Sequence, residues 1–412
     1  MLKKVFLSSG TPLIMQKMNL FHSFMLGIWI KYGSRHEPSE KNGLSHFIEH
    51  LFFQGTSKRD AWSISSRIDS LGGDINAFTA REFTSIYIKV LNKYISEALE
   101  LIGDIISNPS FPVEEIEKER AIIIDEIRTV EDTPDELIHD LFMNDVFLDG
   151  LGQPILGRKE TVLNINRDDI VNCFNKYYGN SNCIITCAGN FDESKIINEI
   201  EKNFMLRKTE EKPFLKNPLF NSGVNVYERD LNEVHICLGI ESFPFNSPFR
   251  YALSLLNLIT GGCVSSRLFQ EIREKKGYAY NIYSFTSCYS DTGVFGIYTA
   301  CDKSKIYDVI ELILSTVKNL YETLTEEELQ RAKKQAISQI LFSSESTNYV
   351  MQNLAYQKLY LDKIYKVEEQ VRMVDSIKIK DLKNVANFLK EKAFALTTLG
   401  PVDSEKLSGI NI

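Results

Sequence analysis

Between residues 24 and 32 the chain reads FMLGIWIKY, an aromatic and β-branched run that predicts a strand. A polar stretch, GSRHEPSEKNG, gives way to LSHFIEHLFFQG, whose apolar positions recur at helical spacing and stop at Gly55. Residues 62–71 carry a second helical pattern, closed by Gly72 and Gly73. INAFTAREFTSIYIKV then predicts a pair of strands, and residues 93–106 another amphipathic helix. From Pro112 a long charged helix is expected through EEIEKERAIIIDEIRTVED.

The same order returns in the second half. VHICLGIESF reads as a strand, YALSLLNLIT as a helix, Gly261 and Gly262 as a turn, TGVFGIYTA as a strand and SKIYDVIELILSTVKNL as a helix. VEEIEKERAIIIDEI (113–127) aligns without a gap on EEELQRAKKQAISQI (326–340), setting Glu115 on Glu328, Ile116 on Leu329 and Ile127 on Ile340. Two tandem α+β units, 1–210 and 211–412, are the economical reading. They are joined through the polar, Pro-containing stretch 206–223.

A chain of 412 residues is also too long for one compact core. Its net charge of −8 argues against nucleic acid as a partner, since no surplus of Lys and Arg exists to neutralise phosphates. The seven cysteines are widely spaced, odd in number and form no C-x-x-C pair, which predicts free thiols in a reducing compartment. No stretch approaches the roughly 20 apolar residues of a membrane span, and the N-terminus lacks a signal-peptide pattern. A cytoplasmic location is expected.

Candidate chemistry is concentrated in one short segment. His46 and His50 lie four residues apart, so on a helix both imidazoles project from one face, where they could meet a single zinc ion. Glu49 shares that face and could act on a water as a general base without being a ligand. The flanking Phe47, Ile48, Leu51, Phe52 and Phe53 predict a buried helix, in which polar groups need partners. A third ligand must come from elsewhere, and IIIDEIRTV offers Asp125 or Glu126. Glu119 and Glu126, seven apart, share a helix face and could supply one ligand and one carboxylate that orients a histidine.

GLSHFIEHLFFQGT resembles the zinc helix of the pitrilysin/insulinase family, whose members share the inverted H-x-x-E-H motif. LGGDINAFTAREFTSIYIKV, EKERAIIIDEIRTVEDTPDEL and SSRLFQEIREKKGYAYNIYSF resemble further family segments in the same order, and the nearest subgroup is that of mitochondrial processing peptidase. The resemblance implies two α/β-sandwich units, each a mixed and mainly antiparallel sheet packed with helices, in a clamshell arrangement. It implies one zinc ion per chain, held by His46, His50 and Glu126, with Glu49 activating water and Glu119 supporting a ligand. Asn76, Ala77, Phe78 and Thr79 match the edge strand on which substrate lies, while Arg273 and Tyr280 match a pair reaching the scissile carbonyl. Tyr278 is the alternative to Tyr280.

In the second half Gln339 falls opposite Glu126 and Ala332 opposite Glu119, and no H-x-x-E-H occurs, so that half should bind no metal. The expected activity is zinc-dependent hydrolysis of peptide bonds in unfolded peptides or presequence-like segments within a closed chamber. That chamber would be formed by a homodimer or by a heterodimer with a related subunit. A non-catalytic core or assembly subunit is the competing expectation, because fold alone does not imply activity.

Overall fold

The computed structural model describes residues 2–402 and Leu407. Two sheets organise the chain. The first comprises β1 (Leu2–Phe6), β2 (Pro12–Lys17), β3 (Ser23–Ile30), β4 (Asp74–Thr79), β5 (Thr84–Leu91) and β6 (Cys183–Gly189), in the order β1-β2-β6-β3-β5-β4. The second comprises β7 (Gly223–Glu228), β8 (Val234–Ser242), β9 (Ala279–Cys288), β10 (Gly293–Cys301) and β11 (Phe394–Gly400), in the order β7-β11-β8-β10-β9. Without β1 the two orders are the same, strand for strand. In each, a single parallel pair (β2·β6, β7·β11) sits among antiparallel neighbours. The duplication read from the sequence is therefore a duplication of topology.

The long charged helices are the 19-residue segments Val113–Glu131 and Glu326–Ser344, in the ungapped register that the sequence alignment proposed. Each is followed by another helix, Pro134–Val146 or Thr347–Tyr360. These two follow-on helices are exchanged between the halves. Pro134–Val146 packs on β8 and β11, and Thr347–Tyr360 on β3 and β6. One compact unit thus comprises the chain up to Thr129, Gln153–Lys216 and Ser343–Ile364, and the other Val130–Gly152, Asn217–Phe342 and the chain from Tyr365. The compact units interleave in sequence, whereas the expected halves 1–210 and 211–412 are continuous.

The exchange explains why β3 is apolar on both faces. Phe24, Leu26, Ile28 and Ile30 enter the core with Phe47, Ile48 and Leu99, while Met25 and Trp29 point to the other face, against Met351 and Leu354. Each such side chain contributes about 1.5–3 kcal/mol when fully buried. Glycine opens the way for the exchanged helix at one point in each sheet. A Cβ on Gly27 would lie 2.4 Å from Met351 Sδ, and one on Gly239 would lie 2.5 Å from Phe142 Cζ. β6 and β11 are fully buried seven-residue runs, CIITCAG and FALTTLG, too short and uniform for periodicity to identify. All seven cysteines are free thiols, and among the described residues no helix is long and apolar enough to cross a membrane.

Candidate metal centre

The H-x-x-E-H segment forms the helix Leu44–Leu51, with Leu44, Ser45, His46, Phe47, Ile48 and Leu51 buried. Its start is fixed by two devices. Gly43 adopts φ +98°, and a Cβ there would lie 2.8 Å from the Leu156 carbonyl oxygen, so glycine alone fits. The buried carboxylate of Glu37 accepts from the backbone N–H groups of Gly43 (2.7 Å) and Ser45 (2.5 Å) and from Asn42 Nδ2 (3.0 Å). A carboxylate on free N–H groups at a helix N-terminus meets both their donors and the helix dipole. Burial nonetheless raises the Glu37 pKa above its ordinary value, those bonds opposing the rise.

From this helix His46 Nε2 and His50 Nε2 face each other at 3.2 Å. Glu126 Oε2, on the Val113–Glu131 helix, lies 3.6 Å from the first and 3.5 Å from the second. These are the separations expected of three ligands on one tetrahedral zinc, about 3.3 Å apart for bonds of roughly 2.0–2.1 Å. Among the described residues His46, His50 and Glu126 are the one group of three such donors within 4.8 Å of one another. His46 Nδ1 is buried without a partner, so Nε2 is the nitrogen of that ring with neighbours to engage. Burial, with His50 alongside, holds the His46 pKa down to about 3, leaving a neutral ring with a lone pair to give. Burial also acts to lower His50, but the carboxylates of Glu119, Glu126 and Glu49 outweigh it and the net shift is upward. The donor set fits a zinc ion.

Supporting contacts complete the cluster. Glu119, buried on the Val113–Glu131 helix, accepts at 2.8 Å from His50 Nδ1 through Oε2 and at 2.7 Å from Gln54 Nε2 through Oε1. Glu49 is half-buried beside the donors but is not one of them, and Thr79 Oγ1 donates to its Oε2 at 2.6 Å. Burial raises the Glu49 pKa, against the pull of the Thr79 bond. Asp125, the other acid open to the sequence reading, is exposed and paired with Arg128 at 2.7 Å.

β4, carrying Asn76, Ala77, Phe78 and Thr79, is an edge strand paired, among the described residues, only with β5. The Ala80 N–H bonds the Phe83 carbonyl, so by antiparallel alternation the main-chain groups of Ala77 and Thr79 face the open edge. The Ala77 N–H is met there by Asn76 Oδ1 at 2.8 Å. Phe78 turns to the opposite face, edge-on to Trp29.

The other unit holds the second pair. Arg273 lies on the π-helical segment Phe269–Lys275, and its guanidinium sits 4.9 Å from the ring centre of Tyr280, an exposed residue of β9. Tyr278 instead packs against the core, with Lys305 over its ring. The pairing favours Tyr280 over Tyr278 as the partner of Arg273. Sequence reasoning missed Glu37, Gln54 and the contact of Thr79 with Glu49. Helix-capping preferences around Gly43 could have signalled the first, and no local pattern signals the other two.

Residues 15–159 match the family described as Insulinase (Peptidase family M16), and residues 164–336 match the Peptidase M16 inactive domain. An uncharacterized zinc protease of Bacillus subtilis (strain 168) is 33% identical over 404 residues, spanning 97% of this chain and 98% of the relative. The chain belongs to the insulinase family. Solved structures of similar fold include a peptidase M16 inactive domain from Pseudomonas fluorescens, with a TM-score of 0.90, 18% identity and 98% of each chain covered. A chain of complex III2 from Candida albicans matches with a TM-score of 0.85 and 22% identity, again over 98% of each. The insulinase fold thus accommodates chains of quite different sequence.

Proposed function

We propose that the chain is a zinc-dependent endopeptidase acting on flexible or unfolded peptides. The observation that carries this reading is the convergence of His46, His50 and Glu126 beside a carboxylate, Glu49, that is left out of the donor set. His46 Nε2, His50 Nε2 and Glu126 Oε2 would hold one zinc ion per chain, with Glu119 orienting His50. When bound, such an ion supplies Lewis acidity, lowering the pKa of a water to about 7 and polarising a carbonyl oxygen. Three protein ligands leave the open position of a catalytic site and not the closed set of a structural one.

Glu49 accepts a proton as the water oxygen bonds to the peptide carbonyl carbon. It then delivers that proton to the departing nitrogen as the C–N bond breaks. An extended substrate pairs with the open edge at Ala77 and Thr79 through main-chain hydrogen bonds, which suits peptides of varied sequence. Arg273 and Tyr280, paired with each other in the other unit, are proposed as further donors to a peptide main chain. The working assembly would be a homodimer or a heterodimer with a related subunit.

A non-catalytic assembly role is the alternative, since the fold is shared with a chain of complex III2 and with a domain named inactive. Retention of all three donors and Glu49 favours the enzyme. The deciding experiment is cleavage of an unfolded-peptide library by purified protein, with chelator and with zinc restored. Chelator-sensitive cleavage that zinc restores is expected. A zinc-loaded chain that cleaves nothing, alone or with a related subunit, would move the assignment to the assembly role.

A further inference from the structure

The open edge of β4 and the carboxylate of Glu49 meet in one residue. Strand alternation puts Ile75, Ala77 and Thr79 on the face toward the Leu44–Leu51 helix, and Ala77 is buried in the core with Phe47 and Ile48. From that face the Thr79 hydroxyl reaches two acceptors, Glu49 Oε2 at 2.6 Å and the Ser45 carbonyl at 3.4 Å. A hydroxyl has a single proton, and the short bond to the carboxylate is the one it makes well. Tying the helix down does not require this bond, because Glu37 already holds the helix start. The backbone of the same Thr79 lies on the open-edge side of β4, and its N–H also acts on the Glu49 carboxylate.

On the reading of the site as a peptidase centre, we infer that Thr79 is a positioning residue. Its side chain aims the Glu49 carboxylate while its backbone belongs to the strand on which substrate pairs. Docking of an extended peptide at the edge and the orientation of the base are therefore coupled through one residue. A misplacement of about 1 Å in such a group can cost about a hundredfold in rate.

The test compares Thr79→Val, which keeps the shape and loses the donor, with Thr79→Ser, which keeps the donor. Full-length protein is assayed on a quenched-fluorescent library of unfolded peptides, with zinc content measured in parallel. Thr79→Val should lower kcat about 10–100-fold, with KM within about threefold and zinc content unchanged, and Thr79→Ser should stay within about threefold of wild type. A Thr79→Val protein with unchanged kcat, or with a raised KM alone, overturns the inference, leaving Thr79 as a strand contact. A zinc-loaded wild type that cleaves nothing sinks the peptidase reading instead. The crystal structure of Thr79→Val then decides the inference by itself: a displaced Glu49 carboxylate supports it, and one in its wild-type place overturns it.

Discussion

In one unit the 19-residue helix Val113–Glu131 brings Glu119 and Glu126 to His50; in the other, the equally long Glu326–Ser344 carries a buried Ala332 and an exposed Gln339 at the aligned positions. The strand order, the single parallel pair and the exchanged follow-on helix are common to both. The polar cluster is therefore not something the fold needs. A buried carboxylate and two buried or half-buried imidazoles are costly to hold out of water unless something compensates them. The unit without the cluster shows the cheaper solution in the same architecture. Such an expense in one copy alone points to chemistry.

The largest effect is expected from His50→Ala, which leaves the first unit with one imidazole and one carboxylate. It should carry no stoichiometric zinc after gel filtration and show no cleavage of unfolded peptides. Retention of one zinc per chain by metal analysis would put the ion elsewhere and erase the contrast between the units. Next comes Glu49→Gln, which keeps the donors and removes the base. Zinc content should be unchanged and the rate lower by about 10²–10⁴-fold. Cleavage at the wild-type rate would assign Glu49 a purely structural place.

Much of this contrast was legible in the sequence because it is local. His46, Glu49 and His50 sit within one eight-residue helix, and helical spacing alone puts them on one face. The repeat was legible where register survives without gaps, as in 113–127 against 326–340. The exchange of Pro134–Val146 and Thr347–Tyr360 was not, since an amphipathic helix says which face is apolar and not whose sheet it covers. Thr79 with Glu49 is 30 residues distant and Gln54 with Glu119 is 65 residues distant. Bonds of that kind are made by the tertiary fold and leave no period to read. Helical spacing alone left Asp125 and Glu126 both open, and it was the family resemblance that singled out Glu126. Adjacent helix positions point about 100° apart, and only the packing of the helix decides which one faces inward.

A smaller effect is expected from Glu119→Ala, which gives the first unit the residue that the second carries at Ala332. Loss of the carboxylate behind His50 should weaken zinc affinity about 10–100-fold in chelator competition, the usual cost of removing a partner behind a metal ligand. Gln54→Leu, which leaves Glu119 Oε1 without its donor, should move affinity the same way by less. Equal affinity in Glu119→Ala and wild type would mean that the carboxylate does not act through the histidine.

The smallest effect concerns the exchanged helices, which also differ in chemistry. Thr347–Tyr360 meets its sheet through Val350, Met351, Leu354 and Ala355, whereas Pro134–Val146 brings His139 and Asp145 to the other. The Asp145 carboxylate accepts from Tyr227 (2.7 Å) and Thr397 (2.7 Å), yet burial prevails and its pKa is raised. A carboxyl that binds its proton more tightly when folded favours the folded state most at low pH. That contribution is lost as pH rises from the ordinary Asp value through the raised one, and is constant above. Asparagine does not titrate. The stability of wild type relative to Asp145→Asn, from Tm measured at successive pH values, should therefore fall with rising pH across that acidic window and then level off. A difference that instead grew with pH would mean that the hydroxyls of Tyr227 and Thr397 stabilise the carboxylate more than burial penalises it, and the second unit's exchanged helix would be held by its charge.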